Sequence, residues 1–223
     1  MIKGALIDFG GTIDTDGIHW MRMFSMAYEA CRIPEDNLRD AYVFAERTLG
    51  GNRIIMPDFT FHRTLETKIQ LQMEYLGLAD MSGKVADFCY QYVADNIRKV
   101  SAPVLAMLSE RMPLVLVSNF YGNMHTVLHE FGIDRYFKSV VESAVVGRRK
   151  PEPEIFRIGV NTIAILPQDA VVIGDSPDKD IQPASSIGCH TVWLRGKGWS
   201  DAVTCVPEYT VPSFRELINL DFC

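Results

Sequence analysis

Four short apolar runs along the chain each stop abruptly at polar residues. They are Ala5-Leu-Ile before Asp8, Leu114-Val-Leu-Val before Ser118, Ala170-Val-Val-Ile before Gly174-Asp175, and Val192-Trp-Leu before Arg195. Runs of this length without alternation predict strands buried on both faces, and hence a parallel sheet. Helical periodicity lies between them, over residues 103–112, 122–131 and 152–163. Strand and helix in alternation predict an α/β fold, a doubly wound, Rossmann-like parallel sheet core. Ligands of such sheets bind at the carboxyl ends of the strands. Asp8, Ser118 and Asp175 all fall there.

Residues 16–97 read differently. Trp20, Phe24, Ala27, Tyr28 and Cys31 recur at helical spacing, as do Leu65, Ile69, Met73 and Leu76, and Val85, Phe88, Cys89 and Tyr92. The interval holds no convincing buried strand. It predicts an all-helical insertion after the first strand, broken at the stretch from Gly50 to Pro57. The expected division is a core of residues 1–15 and 98–223 and a helical unit of 16–97. Trp20, Phe24 and Tyr28 are expected to form the interior of that unit, and Trp193 and Trp199 to pack near the last strand.

Composition narrows the function classes. Of 223 residues, 48% are hydrophobic and 22% charged, with a net charge of −6. A buried core is expected. No basic stripe supports a nucleic-acid partner. No apolar stretch approaches the ~20 residues needed to cross a bilayer, and the first apolar run ends at Asp8, which does not read as a signal peptide. Five widely spaced cysteines without a C-x-x-C pair argue against zinc or redox chemistry. They fit a reducing, cytoplasmic setting, with Cys31 and Cys89 as small core residues. His125 and His129, four apart on a helix, lack an acid partner and read as surface residues. A monomer or homodimer is expected.

The chemistry rests on Asp8, Gly11, Thr12, Ser118, Asn119, Lys150, Asp175 and Asp180. A carboxylate nucleophile needs positive charge to receive a phosphoryl group. Asp8 and Asp175 offer hard oxygen ligands for Mg²⁺. Lys150 offers a point charge to the phosphoryl oxygens and to Asp8. Ser118 offers a hydroxyl to the same oxygens, and Gly11 lets the backbone approach them. The amides after Asp8 can form an anion-binding nest. Asn119 has the weaker claim and reads as a loop-orienting residue or a substrate contact. Arg47 and Arg53 read as solvated.

In these motifs the sequence resembles the haloacid dehalogenase superfamily, in the branch with a helical cap after the first strand. The first motif is Asp8-Phe-Gly-Gly-Thr12, the second Ser118, the third the stretch from Gly147 to Phe156 with Lys150 as its basic residue, and the fourth Gly174-Asp-Ser-Pro-Asp-Lys-Asp180. The resemblance runs to about residue 195. It implies an aspartyl-phosphate at Asp8. It also implies Mg²⁺ held by Asp8, Asp175 and the Gly10 backbone carbonyl, with Asp180 a further acid at the metal, and a small phosphorylated molecule as substrate.

One position departs from the pattern. The family's phosphatases carry an aspartate two residues after the nucleophile, which protonates the leaving oxygen and then activates water. Here that residue is Gly10. A group of this kind is worth ~10²–10⁴ in rate. The expectation is therefore a phosphatase restricted to good leaving groups. The alternatives are a phosphate-binding or regulatory protein without turnover, a phosphonate-cleaving enzyme relying on Lys68 as its amine, and, more distantly, a receiver-like phospho-acceptor. The acidic fourth motif speaks against metal-free dehalogenation. Asp14 and Asp16 are the nearby acids that can stand in for the missing one.

Overall fold

The computed structural model describes residues 1–196 and 205–221; Trp199 and Cys223 lie outside them. Among the described residues, six parallel strands form one sheet: β1 (Gly4–Ile7), β2 (Leu114–Ser118), β3 (Phe137–Glu142), β4 (Ala170–Gly174), β5 (His190–Leu194) and β6 (Tyr209–Val211), in the order β3-β2-β1-β4-β5-β6. The first strand is central. Ala5 pairs with Leu114 on one side and with Val171 on the other.

Side chains alternate between the two faces of a strand. Ala5, Ile7, Leu114, Leu116, Val171 and Ile173 therefore enter one core, and Leu6, Val115, Val117 and Val172 the other. Both faces are dry, which is why these strands read as uninterrupted apolar runs.

Helices α1 (Trp20–Cys31), α2 (Leu38–Gly51), α3 (Phe61–Tyr75) and α4 (Ser82–Asn96) lie between β1 and β2 in the chain. They bury Phe24, Tyr28, Leu65, Ile69, Met73, Val85 and Cys89. Cys31, by contrast, is only half-buried. Helix α5 (Ala102–Arg111) supplies Val104, Leu105 and Leu108 to the first core, and α6 (Met124–Glu130) supplies Met124, Val127 and Leu128. A short α7 (Ser143–Val146) precedes α8 (Glu154–Thr162), which places Ile155, Phe156 and Val160 against the opposite face, with Ala184 of α9 (Gln182–Ser186).

Two strands went unpredicted and two helix boundaries need correction. The strands β3 and β6 carry no long apolar run because each lies at an edge of the sheet, and both have partly open patterns. Helix α2 runs through Gly50 and Gly51, so the break begins only at Asn52. Helix α6 starts two residues later than its periodicity suggests, after Gly122 at φ +107.

The helical segment is tied to the strand ends by side chains. Asn123 Nδ2 donates to the Phe59 carbonyl and to Thr64 Oγ1, both at 2.8 Å. Thr126 Oγ1 donates to the Pro57 carbonyl at 2.6 Å. Asn96 Nδ2 donates to the carbonyls of Ile13 at 3.1 Å and Asp14 at 3.0 Å. These bonds roof the carboxyl ends of β1 and β2.

Candidate active site

Asp8 follows β1 directly, and its amide donates to the Ile173 carbonyl of β4 at 3.0 Å. The central strand thus fixes it at the floor of a cavity of about 1010 Å³. Thr12 Oγ1 donates to Asp8 Oδ2 at 3.2 Å. Lys150 Nζ donates to Asp8 Oδ1 and, at 2.7 Å, to Asp180 Oδ1. The other Asp180 oxygen accepts the Ser176 amide at 3.1 Å. Ser118 ends β2 and lines the same cavity, as do Gly10, Gly11 and Asn119.

The backbone around these groups is shaped for them. Gly11 has φ +89, and a Cβ there would overlap the Asp175 carboxyl group. Gly174 likewise leaves room for Asp180. Trp193 Nε1 donates to the Asp175 carbonyl at 2.9 Å, so it holds the end of β4 as well as packing near β5. Asn119 differs from its reading as a substrate contact. Its amide oxygen accepts the Lys150 amide at 2.8 Å and its nitrogen donates to the Lys150 carbonyl at 3.0 Å. Both ends of the side chain are spent on placing Lys150.

Ligand oxygens of Asp8, Asp175 and Asp180 lie within 4.8 Å of one another. Burial pushes Asp8 up to about 6, against the pull of Lys150 and with a further push from Asp180. Asp175 is raised well above its ordinary value by burial and then by Asp8 and Asp180. Burial works against the Lys150 charge too, but Asp180 and Asp8 more than offset it and hold the ammonium above its ordinary value. Three carboxylates face one ammonium, and the Asp175 carboxyl group receives no hydrogen bond among the described residues. The surplus negative charge and all-oxygen donor set fit a hard divalent cation.

The roof brings in groups that helical periodicity alone did not mark. Lys68 of α3 is buried and ion-paired with Glu46 of α2, whose other oxygen accepts the Tyr121 hydroxyl at 3.1 Å. The ammonium lies 5.1, 5.6 and 5.8 Å from the ring centres of Tyr42, Phe24 and Trp20. Burial alone would lower the Lys68 pKa, but Glu46 reverses this and keeps the amine charged. A charged amine is not a nucleophile, so the Glu46 pairing weighs against Schiff-base chemistry at Lys68. Trp20, expected in the interior, packs against that core and also lines the cavity. Arg47 and Arg53 are exposed, yet stand at its mouth. His125 and His129 are exposed, as expected of surface residues, but His129 does meet an acid, with its Nδ1 3.0 Å from Asp134 Oδ2.

Asp14 and Asp16 separate cleanly. Asp16 accepts the Phe214 amide at 2.5 Å and belongs to the packing of the C-terminal segment. Asp14 is 1% exposed and lines the cavity. It accepts the Gly11 amide at 2.7 Å and the Trp20 indole N–H at 2.8 Å.

A central strand tipped by a buried acid, in a sheet ordered β3-β2-β1-β4-β5-β6 with helices inserted after β1, is a Rossmann-like α/β architecture with its acids gathered at one edge. The chain belongs to the haloacid dehalogenase-like hydrolases, whose family profile matches residues 2–188. It is 34% identical over 94 residues to glyceraldehyde 3-phosphate phosphatase of Methanocaldococcus jannaschii, covering 42% of this chain and 41% of that one. It is 31% identical over 146 residues to human N-acylneuraminate-9-phosphatase, covering 60% and 58%. The alignments thus span between about two fifths and three fifths of these curated relatives. Among solved structures, the magnesium-bound HAD-hydrolase YfnB of Bacillus subtilis superposes with a TM-score of 0.60 at 18% identity, over 98% of this chain and 97% of that one. That likeness concerns the fold.

Proposed function

We propose that the protein is a Mg²⁺-dependent phosphohydrolase that acts on a small phosphorylated metabolite through an aspartyl-phosphate at Asp8. The observation that carries this reading is the placement of Lys150 between Asp8 and Asp180, inside an acid cluster with surplus negative charge. The phosphatase names of the relatives support the substrate class.

Asp8 attacks phosphorus, oriented by the Thr12 hydroxyl. Lys150, the Ser118 hydroxyl and the amides after Asp8 offset the charge on the phosphoryl oxygens. Asn119 holds Lys150 in place. Asp8, Asp175, Asp180 and the Gly10 carbonyl are the groups that would hold Mg²⁺, which supplies the remaining positive charge when bound. Residues 16–97 serve as a cap over a core of 1–15 and 98–223; they select the leaving group and exclude water. We propose further that it is cytoplasmic and acts as a monomer or homodimer; no helix among the described residues is long and apolar enough to cross a membrane.

The test is phosphate release from p-nitrophenyl phosphate with Mg²⁺ and with EDTA, for the wild type and Asp8→Asn. Release that EDTA and the substitution both abolish is the expected result. No release from any phosphate ester, together with tight binding of one, would favour the second reading, a phosphate-binding protein without turnover, which Gly10 keeps open.

A further inference from the structure

Hydrolysis through Asp8 requires a proton for the leaving oxygen and, later, a group that takes a proton from water. Gly10 does neither. Its backbone is ordinary, with φ −76 and ψ 115, and the nearest atom to a Cβ built there is Trp20 Nε1 at 4.0 Å. Nothing in the conformation or the space requires glycine at this position. The open space faces the cavity and is bordered by the Trp20 indole.

The same indole N–H donates to Asp14 Oδ2 at 2.8 Å, and the Gly11 amide donates to Asp14 Oδ1 at 2.7 Å. The carboxyl group is thereby pinned at the cavity wall between the nucleophile loop and the first cap helix. Its donors are an amide, an indole and a hydroxyl; among the described residues no cation pairs with it. The hydroxyl is that of Thr15, which has one proton and two neighbours: the Ile18 carbonyl at 2.6 Å and Asp14 Oδ1 at 3.1 Å. It cannot donate to both at once, so Asp14 keeps only two undivided donors, the Gly11 amide and the Trp20 indole. A buried acid without a cation favours its neutral form. Burial accordingly pushes Asp14 up to about 7, opposed by the Gly11 amide and Trp20 and reinforced by Asp8.

Resting on the phosphohydrolase reading, we propose that Asp14 is the general acid and base of the reaction, in place of the side chain absent at position 10. In the first step an Asp8 oxygen bonds to phosphorus and the bond from phosphorus to the leaving oxygen breaks. The Asp14 proton passes to that oxygen, giving the free alcohol. In the second step a water oxygen bonds to phosphorus and one of its protons returns to Asp14. The bond from phosphorus to Asp8 breaks, releasing phosphate and restoring the Asp8 carboxylate.

The experiment compares phenyl, p-nitrophenyl and 2,4-dinitrophenyl phosphate, which have similar shape but leaving groups of falling proton demand. It uses wild type, Asp14→Asn, and Asp14→Asn combined with Gly10→Asp, each checked for folding by far-UV circular dichroism. Asp14→Asn should lose ~10²-fold or more on phenyl phosphate. It should keep a pre-steady-state burst of dinitrophenolate, followed by slow turnover. The double variant should regain at least about tenfold on phenyl phosphate, since an aspartate at position 10 restores proton transfer but not the Gly11 and Trp20 bonds. Equal losses on all three esters without rescue would make Asp14 a loop support and overturn the inference. If Asp14→Asn does not fold, Trp20→Phe should move the alkaline limb of phenyl phosphate hydrolysis to higher pH, and an unmoved limb overturns it. Wild type inactive on every ester would instead remove the phosphohydrolase reading itself.

Discussion

Lys68 and Glu46 form an ion pair inside the cavity roof, with the lysine the more deeply buried partner. Its side chain is 10% exposed against 34% for the glutamate. The asymmetry decides what each loss costs. Removing Glu46 strands an ammonium among aromatic rings, whereas removing Lys68 leaves a carboxylate that still reaches solvent and the Tyr121 hydroxyl.

Glu46→Ala should therefore destabilise the protein more than Lys68→Met. A loss of about 3 kcal/mol is the scale for an uncompensated buried charge, and the double variant should recover part of it. Urea unfolding of the three variants measures this. Because Glu46 pairs with the Lys68 amine, borohydride treatment with an aldehyde substrate should leave no reduced adduct on it by mass spectrometry. A Lys68 adduct would restore the phosphonate-cleaving reading.

Gly11→Ala should abolish activity more completely than Gly10→Ala. Position 11 combines φ +89 with direct overlap on the Asp175 carboxyl, while position 10 has ordinary dihedrals and open space. The expected pattern is near wild-type melting for Gly10→Ala and loss of both stability and Mg²⁺ response for Gly11→Ala. Equal tolerance at both positions would contradict the described packing.

Much of the sheet was legible in the sequence because its central strands are dry on both faces and carry unbroken apolar runs. The edge strands β3 and β6 were not, since half-open strands mix polar residues into the pattern. The floor of the site was legible for a related reason: Asp8, Ser118 and Asp175 follow such runs directly. The roof was not. Trp20, Glu46 and Lys68 lie on amphipathic helices, where periodicity marks an inward face but not whether that face meets a core or a cavity. Asp14 could be named from sequence only as one of two nearby acids. The bonds to Gly11 and Trp20 distinguish it from Asp16, which the C-terminal segment holds.

Mg²⁺ should raise the melting temperature of wild type by neutralising the acid cluster. At a hundredfold excess over its dissociation constant, a ligand bound only by the folded state adds about 2.7 kcal/mol. Asp175→Asn should lose most of that gain, since the Asp175 carboxyl group has no hydrogen-bond donor to replace the metal among the described residues. Lys150→Met should also weaken the fold, because Asp8 and Asp180 would face each other without their ammonium. Differential scanning fluorimetry with Mg²⁺ or EDTA reads both effects. An unchanged Mg²⁺ shift in Asp175→Asn would place the cation elsewhere.

The pH dependence of stability should carry the mark of Asp14. Its carboxyl rises from 3.8 to about 7 on folding, mainly through burial. Below about 4 both states are protonated and this contribution is fully present. Between about 4 and 7 the folded state holds a proton that the unfolded chain has released, so stability falls as pH rises through that window. Asp8, raised to about 6, acts in the same direction, and exposed groups such as Asp95 and Asp134, shifted down, act in the opposite one. All of those remain in Asp14→Asn. In EDTA, the melting temperature of that variant should decline less between pH 5 and pH 8 than that of wild type, whatever its absolute value. Parallel declines would show that Asp14 is already ionised across the range, and would leave it without the proton that the leaving oxygen needs.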